Sequence, residues 1–203
     1  MIDQTRTDTF TSQRLTLSFV EWGDRDKPPL VLVHGGRDQK RSWDRVARQL
    51  SASYRVFAYD LRGHGQSDWV SDGGYGVMDH VYDLASLIDH LGLDRFTLMG
   101  HSLGGNIALR YAGLFPEKIE KLIAIEGLGP SPRMLEERKA QPITQRLRQW
   151  IEQRRLVSER QPRIMDDLAA AQARMQAAYS HLPEDLIHHL TKTGIKTNSD
   201  GTV

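Results

Sequence analysis

Four short apolar runs set the rhythm of the chain. Residues 30–33 (LVLV) lead into HGGRD, 56–59 (VFAY) into DLRGHGQSD, 96–99 (FTLM) into GHSLGG, and 122–125 (LIAI) into EGLGPSP. Each is rich in aliphatic and β-branched residues and closed by Gly or Pro, which is how strands buried in a parallel sheet read. Helical periodicity lies between them. Trp43, Val46, Ala47 and Leu50 share a face within 42–50. Val81, Leu84, Leu87, Ile88 and Leu91 share one within 77–91, with Gly92 as a stop, and Ile107, Ala108, Tyr111 and Leu114 point inward from 103–115, ahead of Pro116. Strand alternating with helix predicts a doubly wound α/β sheet. Residues 14–22 (RLTLSFVEW) alternate with period two and add antiparallel strands at one edge.

The pattern changes at Pro130. From there to about Thr193 no strand-like run occurs, and Arg, Glu, Gln, Ala and Leu dominate, punctuated by Pro132, Pro142, Pro162 and Pro183. This predicts several helices. The division expected is a core over 1–129, a helical cap over 130–193 and a start of return to the core over 194–203. The helical segment is rich in arginine, with Arg146, Arg148, Arg154, Arg155, Arg160 and Arg163 among others. Two readings stand: amphipathic helices with solvated basic faces, or a cap that brings cations near an anionic substrate. The tail KTGIKTNSDGTV is polar and turn-like.

Composition narrows the function class. The 203 residues carry 27 basic and 26 acidic side chains, a net charge of +1, which gives no electrostatic reason to expect a nucleic-acid or anionic-membrane partner. The absence of cysteine excludes disulfides, thiolate metal sites and a cysteine nucleophile. The first residues, MIDQTRTDTFTSQ, contain no apolar stretch of secretory type, and runs such as LVLV are too short to span a bilayer. A cytoplasmic protein is the expectation. No P-loop, G-x-G-x-x-G, H-E-x-x-H or EF-hand pattern occurs, and no cofactor or metal is implied.

The chemistry centres on GHSLG, residues 100–104. A G-x-S-x-G between a strand and a helix is a nucleophile elbow. Its serine sits on a sharp, strained turn, and side chains two positions to either side would collide, so Gly100 and Gly104 leave room. The turn places the Leu103 amide at a helix N-terminus, where developing negative charge is stabilised. A second oxyanion donor is needed from the loop after an earlier strand, and Gly36 in HGG is the candidate because glycine backbone can approach a substrate closely. His34 is read as holding that loop by a hydrogen bond. His101 is read as a packing residue whose side chain points away from the nucleophile. Asp60 and Asp68 flank RGHGQS and are read as holding that loop. Trp43 and Met99 are read as core.

With HGG at 34–36, DLRGHGQSD at 60–68 and GHSLGG at 100–105 in this order, the chain resembles the α/β-hydrolase superfamily over residues 14–130, and the helices that follow resemble its cap insertion. The resemblance implies a serine nucleophile, Ser102, and acyl transfer to water from a small carboxylic ester, thioester, lactone or amide, or carbon–carbon bond hydrolysis. Epoxide hydrolases and haloalkane dehalogenases within the fold use an aspartate at the elbow, which Ser102 argues against. The family order is serine, then acid, then histidine. After Ser102 come only His181, His188 and His189, all in the helical segment, where surface or cap packing is the simpler reading; His64 precedes the nucleophile. The resemblance therefore implies a base beyond residue 203, a C-terminally truncated chain, and an apolar sheet edge at 122–125. A minority of the family places the acid directly after the strand before the cap, where Glu126 stands; the resemblance implies it as the catalytic acid, against the plainer reading of a solvated or helix-capping glutamate at the cap hinge. Alternatives stay open: a non-catalytic ligand-binding protein on the same fold, or a lyase or cofactor-free peroxidase. Oligomeric state is not encoded legibly.

Overall fold

The computed structural model describes residues 5–71, 73–159 and 163–203. Six strands, β1 (Arg6–Ser12), β2 (Leu15–Trp22), β3 (Pro29–Val33), β4 (Arg55–Tyr59), β5 (Phe96–His101) and β6 (Ile119–Ile125), form one sheet in the order β1-β2-β4-β3-β5-β6. β3, β4, β5 and β6 are parallel, while β2 runs antiparallel to both β1 and β4. The doubly wound arrangement follows from the apolar runs. Strand side chains alternate between faces, so a run without polar interruption fills two cores at once. Val31, Val33, Phe57, Tyr59 and Leu98 enter the core under α2 (Val77–Leu91) and α3 (Leu103–Leu114). Leu30, Leu32, Val56 and Ala58 enter the opposite one with Ala47 of α1 (Asp44–Leu50), and Trp43 and Met99 pack at its margin.

One local expectation is corrected. Val46 and Leu114 are 42% and 55% exposed, because the apolar stripe of each short helix is narrower than the periodicity suggested. The polar N-terminal stretch forms β1, whose register against β2 turns only Phe10 and Ser12 inward; Phe10 packs edge-on against Tyr59. The C-terminal tail is pinned. Met165 and Val203 exchange both backbone hydrogen bonds, at 2.8 and 2.9 Å, and Lys196 Nζ donates to the Ser67 carbonyl.

Four helices follow the sheet: α4 (Pro132–Ala140), α5 (Ile143–Ser158), α6 (Leu168–Ala178) and α7 (Glu184–Gly194). Pro132 opens α4, and Pro142 and Pro183 immediately precede α5 and α7, positions where the missing amide donor costs nothing. Pro162 and Arg160 lie outside the described residues. α4 and α5 bury no side chain, whereas α7 buries Ile187 and Thr191. α7 is fastened to the core beside α1: the Gln39 amide donates to the Leu190 carbonyl, His189 Nε2 stands 3.0 Å from Asp44, and Arg45 pairs with Asp185 at 2.7 Å. No helix of the described residues is long and apolar enough to cross a membrane.

Candidate active site

β5 ends at His101 and α3 begins at Leu103, leaving Ser102 alone at the bend with φ 53° and ψ −114°. A side chain other than glycine seldom adopts this conformation, and it persists only where neighbours hold it. They do: the Ser102 amide donates to the Ile125 carbonyl at 2.9 Å, and the Ser102 carbonyl accepts the Asn106 amide at 3.1 Å. A Cβ on Gly100 would run into the Gly104 carbonyl, and one on Gly104 into the carbonyls of Val33 and His34. The steric demand reaches beyond the motif. A Cβ on Gly105 would stand 2.6 Å from the Glu126 carbonyl oxygen, and one on Gly127, at φ 73°, would overlap the carbonyl of Ser102. The β6–α4 connection thus presses its backbone against the elbow, and the Asn106 side-chain amide fastens it by donating to the Gly127 carbonyl. Gly127 and Asn106 escaped the sequence reading because no periodicity or motif marks them.

Leu103 supplies the first amide of α3, which has no partner within the helix. The Gly36 amide, on the loop after β3, is likewise in no hydrogen bond among the described residues. The two residues adjoin: a Cβ on Gly36 would meet only Leu103 Cδ2, at 3.9 Å. His34 holds this loop. Its Nε2 accepts the Leu61 amide at 3.0 Å, so the proton resides on Nδ1, which donates to the Gly35 carbonyl at 2.7 Å. Burial, reinforced by nearby His64, pushes the His34 pKa down to about 4 and keeps the ring neutral. His64 repeats the arrangement, accepting the Arg37 amide at 3.1 Å and donating to the Arg62 carbonyl at 3.0 Å. Buried Asp60 ties the loops after β3 and β4 together, accepting the Lys40 amide at 2.6 Å, the Lys40 ammonium and the Gln66 amide at 2.8 Å. Asp68 accepts the Thr16 amide at 2.8 Å.

A cavity of about 880 Å³ opens over Ser102, between these loops and the inner faces of α6 and α7. Gly36, His64, His101 and His181 line it. His101 is therefore corrected from a packing residue to a cleft residue: its side chain is 43% exposed, because Gly35 beside it leaves the ring room to lie along the cleft floor. Glu126 stands at the carboxyl end of β6 with φ 62°, its side chain 78% exposed and 4.0 Å from His101 Nε2; it does not line the cleft. Among the described residues no histidine bonds the Ser102 hydroxyl. His188 is held by Gln172 at 2.9 Å and His189 by Asp44. No group of three or more His, Asp or Glu among the described residues is arranged to hold a metal ion.

A strained serine at the exit of β5, beside two open amides and at the carboxyl ends of parallel strands, is the signature of hydrolases built on this sheet. Residues 28–172 match the family model of the alpha/beta hydrolase fold, and the chain belongs to that family. It is 33% identical over 143 residues to a probable serine hydrolase of Drosophila melanogaster, a match covering 70% of this chain and 43% of that one. It is 38% identical over 118 residues to epoxide hydrolase 4 of Mus musculus, covering 58% and 33%. The thioesterase domain from the curacin biosynthetic pathway superposes with a TM-score of 0.79 at 25% identity, covering 98% of this chain and 69% of that one. The match thus spans less than half the length of these two curated relatives.

Proposed function

We propose that the site is that of a serine hydrolase acting on a small carboxylic ester or related acyl substrate. The observation that carries this reading is the backbone of Ser102, held at φ 53° between glycines that nothing larger could replace. In the reaction, Ser102 Oγ attacks the acyl carbon as a base removes its proton. The Gly36 and Leu103 amides hold the resulting oxyanion. Collapse expels the alcohol, protonated by the same base, and water then releases the acid by the reverse sequence. Glu126 is proposed as the acid that orients the base, because it ends β6 with its backbone pressed against the elbow. The base is proposed to be a histidine outside these 203 residues, and α4 to α7 to act as the cap that shapes the cleft. The epoxide-hydrolase relative is not followed, since position 102 offers a hydroxyl rather than a carboxylate.

The test is hydrolysis of a short-chain p-nitrophenyl ester by the 203-residue chain and its Ser102→Ala variant, and by a longer homologue with and without the change equivalent to Glu126→Gln. In the homologue, loss of the nucleophile abolishes turnover, and the glutamine change lowers it by about two to four orders of magnitude with the fold intact. Turnover of the 203-residue chain that depends on Ser102 would put the base within it. A second reading, a ligand-binding protein without turnover, is favoured by one observation: no histidine among the described residues bonds Ser102. Ligand binding with no Ser102-dependent hydrolysis in either chain would select it.

A further inference from the structure

The cleft over Ser102 has a cation built into its cap wall. α6 turns one stripe toward it, with Ala171, Arg174, Met175 and Ala178 at i, i+3, i+4 and i+7. α7 adds Leu186 and Leu190. Arg174 is the one permanently charged side chain among the described residues of that apolar wall, and it forms no ion pair or hydrogen bond among them. The other described arginines of the helical segment lie outside the cleft lining. Arg155 pairs with Glu152 on the outer surface, and Arg146 reaches the Arg138 carbonyl. Opposite Arg174, the loop after β3 contributes Arg37, also without an ion pair among the described residues, while the single described carboxylate lining the cleft, Asp38, is engaged by the Gln39 amide at 2.8 Å. A guanidinium on an apolar stripe contributes nothing to packing that an aliphatic residue would not, and its planar fork matches a carboxylate.

We propose that Arg174 is a specificity-determining residue that binds a carboxylate at the non-reacting end of the substrate. The substrate class is then the half-ester, or equivalent thioester or amide, of a short dicarboxylic acid. The apolar lining takes the methylene spacer and Ser102 takes the reacting acyl carbon. This rests on the hydrolase reading for which end reacts, but the binding step is separable from it.

The experiment is a ¹H–¹⁵N NMR titration of the 203-residue chain carrying Ser102→Ala, with monomethyl glutarate and with dimethyl glutarate. It is repeated with Arg174→Gln, Arg174→Lys and, as a control on exposed α5, Arg148→Gln added. The expected result is about tenfold tighter binding of the anionic monoester than of the neutral diester. Arg174→Gln removes that preference without changing diester binding, Arg174→Lys keeps most of it, and Arg148→Gln leaves it whole. Equal affinities for the two esters, or a preference that survives Arg174→Gln, overturns the proposal. The amide spectra report the fold of each variant in the same experiment. p-Nitrophenyl acetate hydrolysis by the Ser102 chain is read separately. Anion preference without turnover keeps the Arg174 site and removes the acyl chemistry; turnover without preference does the reverse.

Discussion

At the scale of the residue, conformation rather than composition makes the site. Ser102 is held in a backbone shape that its own chemistry disfavours, and Gly100, Gly104, Gly105 and Gly127 are the space that makes the shape affordable. Two buried histidines act in the opposite sense, stabilising the fold by staying neutral. Burial lowers His34 to about 4, and burial together with the Arg62 cation lowers His80 to about 3. In the unfolded chain both titrate near the ordinary value of about 6.5, so between these limits the unfolded state binds more protons. Their contribution is complete above pH 6.5 and is lost as pH falls toward 4 and then 3. For His34 alone the loss amounts to about 3 kcal/mol. The urea midpoint should therefore drop between pH 7.5 and 4.5; a midpoint unchanged across that window would show that neither ring is kept neutral by the fold.

At the scale of the element, the edge hairpin and α2 share an apolar core and are joined by buried charge as well. Arg62, from the loop after β4, grips Asp83 of α2 with two bonds of 2.7 Å, and Ser12 at the end of β1 donates to the same carboxylate at 2.6 Å. All three side chains are buried. Replacing Arg62 with Met leaves Asp83 buried without its cation and should destabilise the protein by about 3–5 kcal/mol in urea unfolding. Adding Asp83→Leu should recover much of that loss. If Arg62→Met unfolds at the same midpoint as the parent, the pair is not a fastening. This element also marks a limit of sequence reading. β1 is polar at nearly every position, so its existence depends on a register with β2 that the hydrophobic pattern does not contain.

At the scale of the molecule, the sheet has one open apolar side. β6 pairs with β5 alone among the described strands, and Leu122, Ile123 and Ile125 are 36%, 38% and 43% exposed. An unpaired, apolar strand edge is a template for association. Light scattering of the 203-residue chain should show mass rising with concentration, and Ile123→Lys should suppress that rise while leaving the thermal midpoint little changed. Mass independent of concentration would mean that the edge is covered. The helical layer is fastened through α7, which is clamped to the segment ahead of α1 and on it, whereas α4 and α5 bury no side chain.

The sequence by itself determined the alternation of strand and helix, the two-sided sheet and the place of Ser102, because strand burial and the elbow's steric demand are written in short, local patterns. It also divided the later segment into several helices, since proline acts on its immediate neighbours. Only the tertiary structure decided which distant residues meet. Gly127 presses on Ser102 across the β6–α4 connection, His101 turns into the cleft instead of away from it, Glu126 stands exposed at 4.0 Å from that ring, and Arg174 is the one among the described arginines of the helical segment that lines the cleft. Such contacts depend on how elements pack, and packing leaves no periodic mark in any single segment that takes part in it.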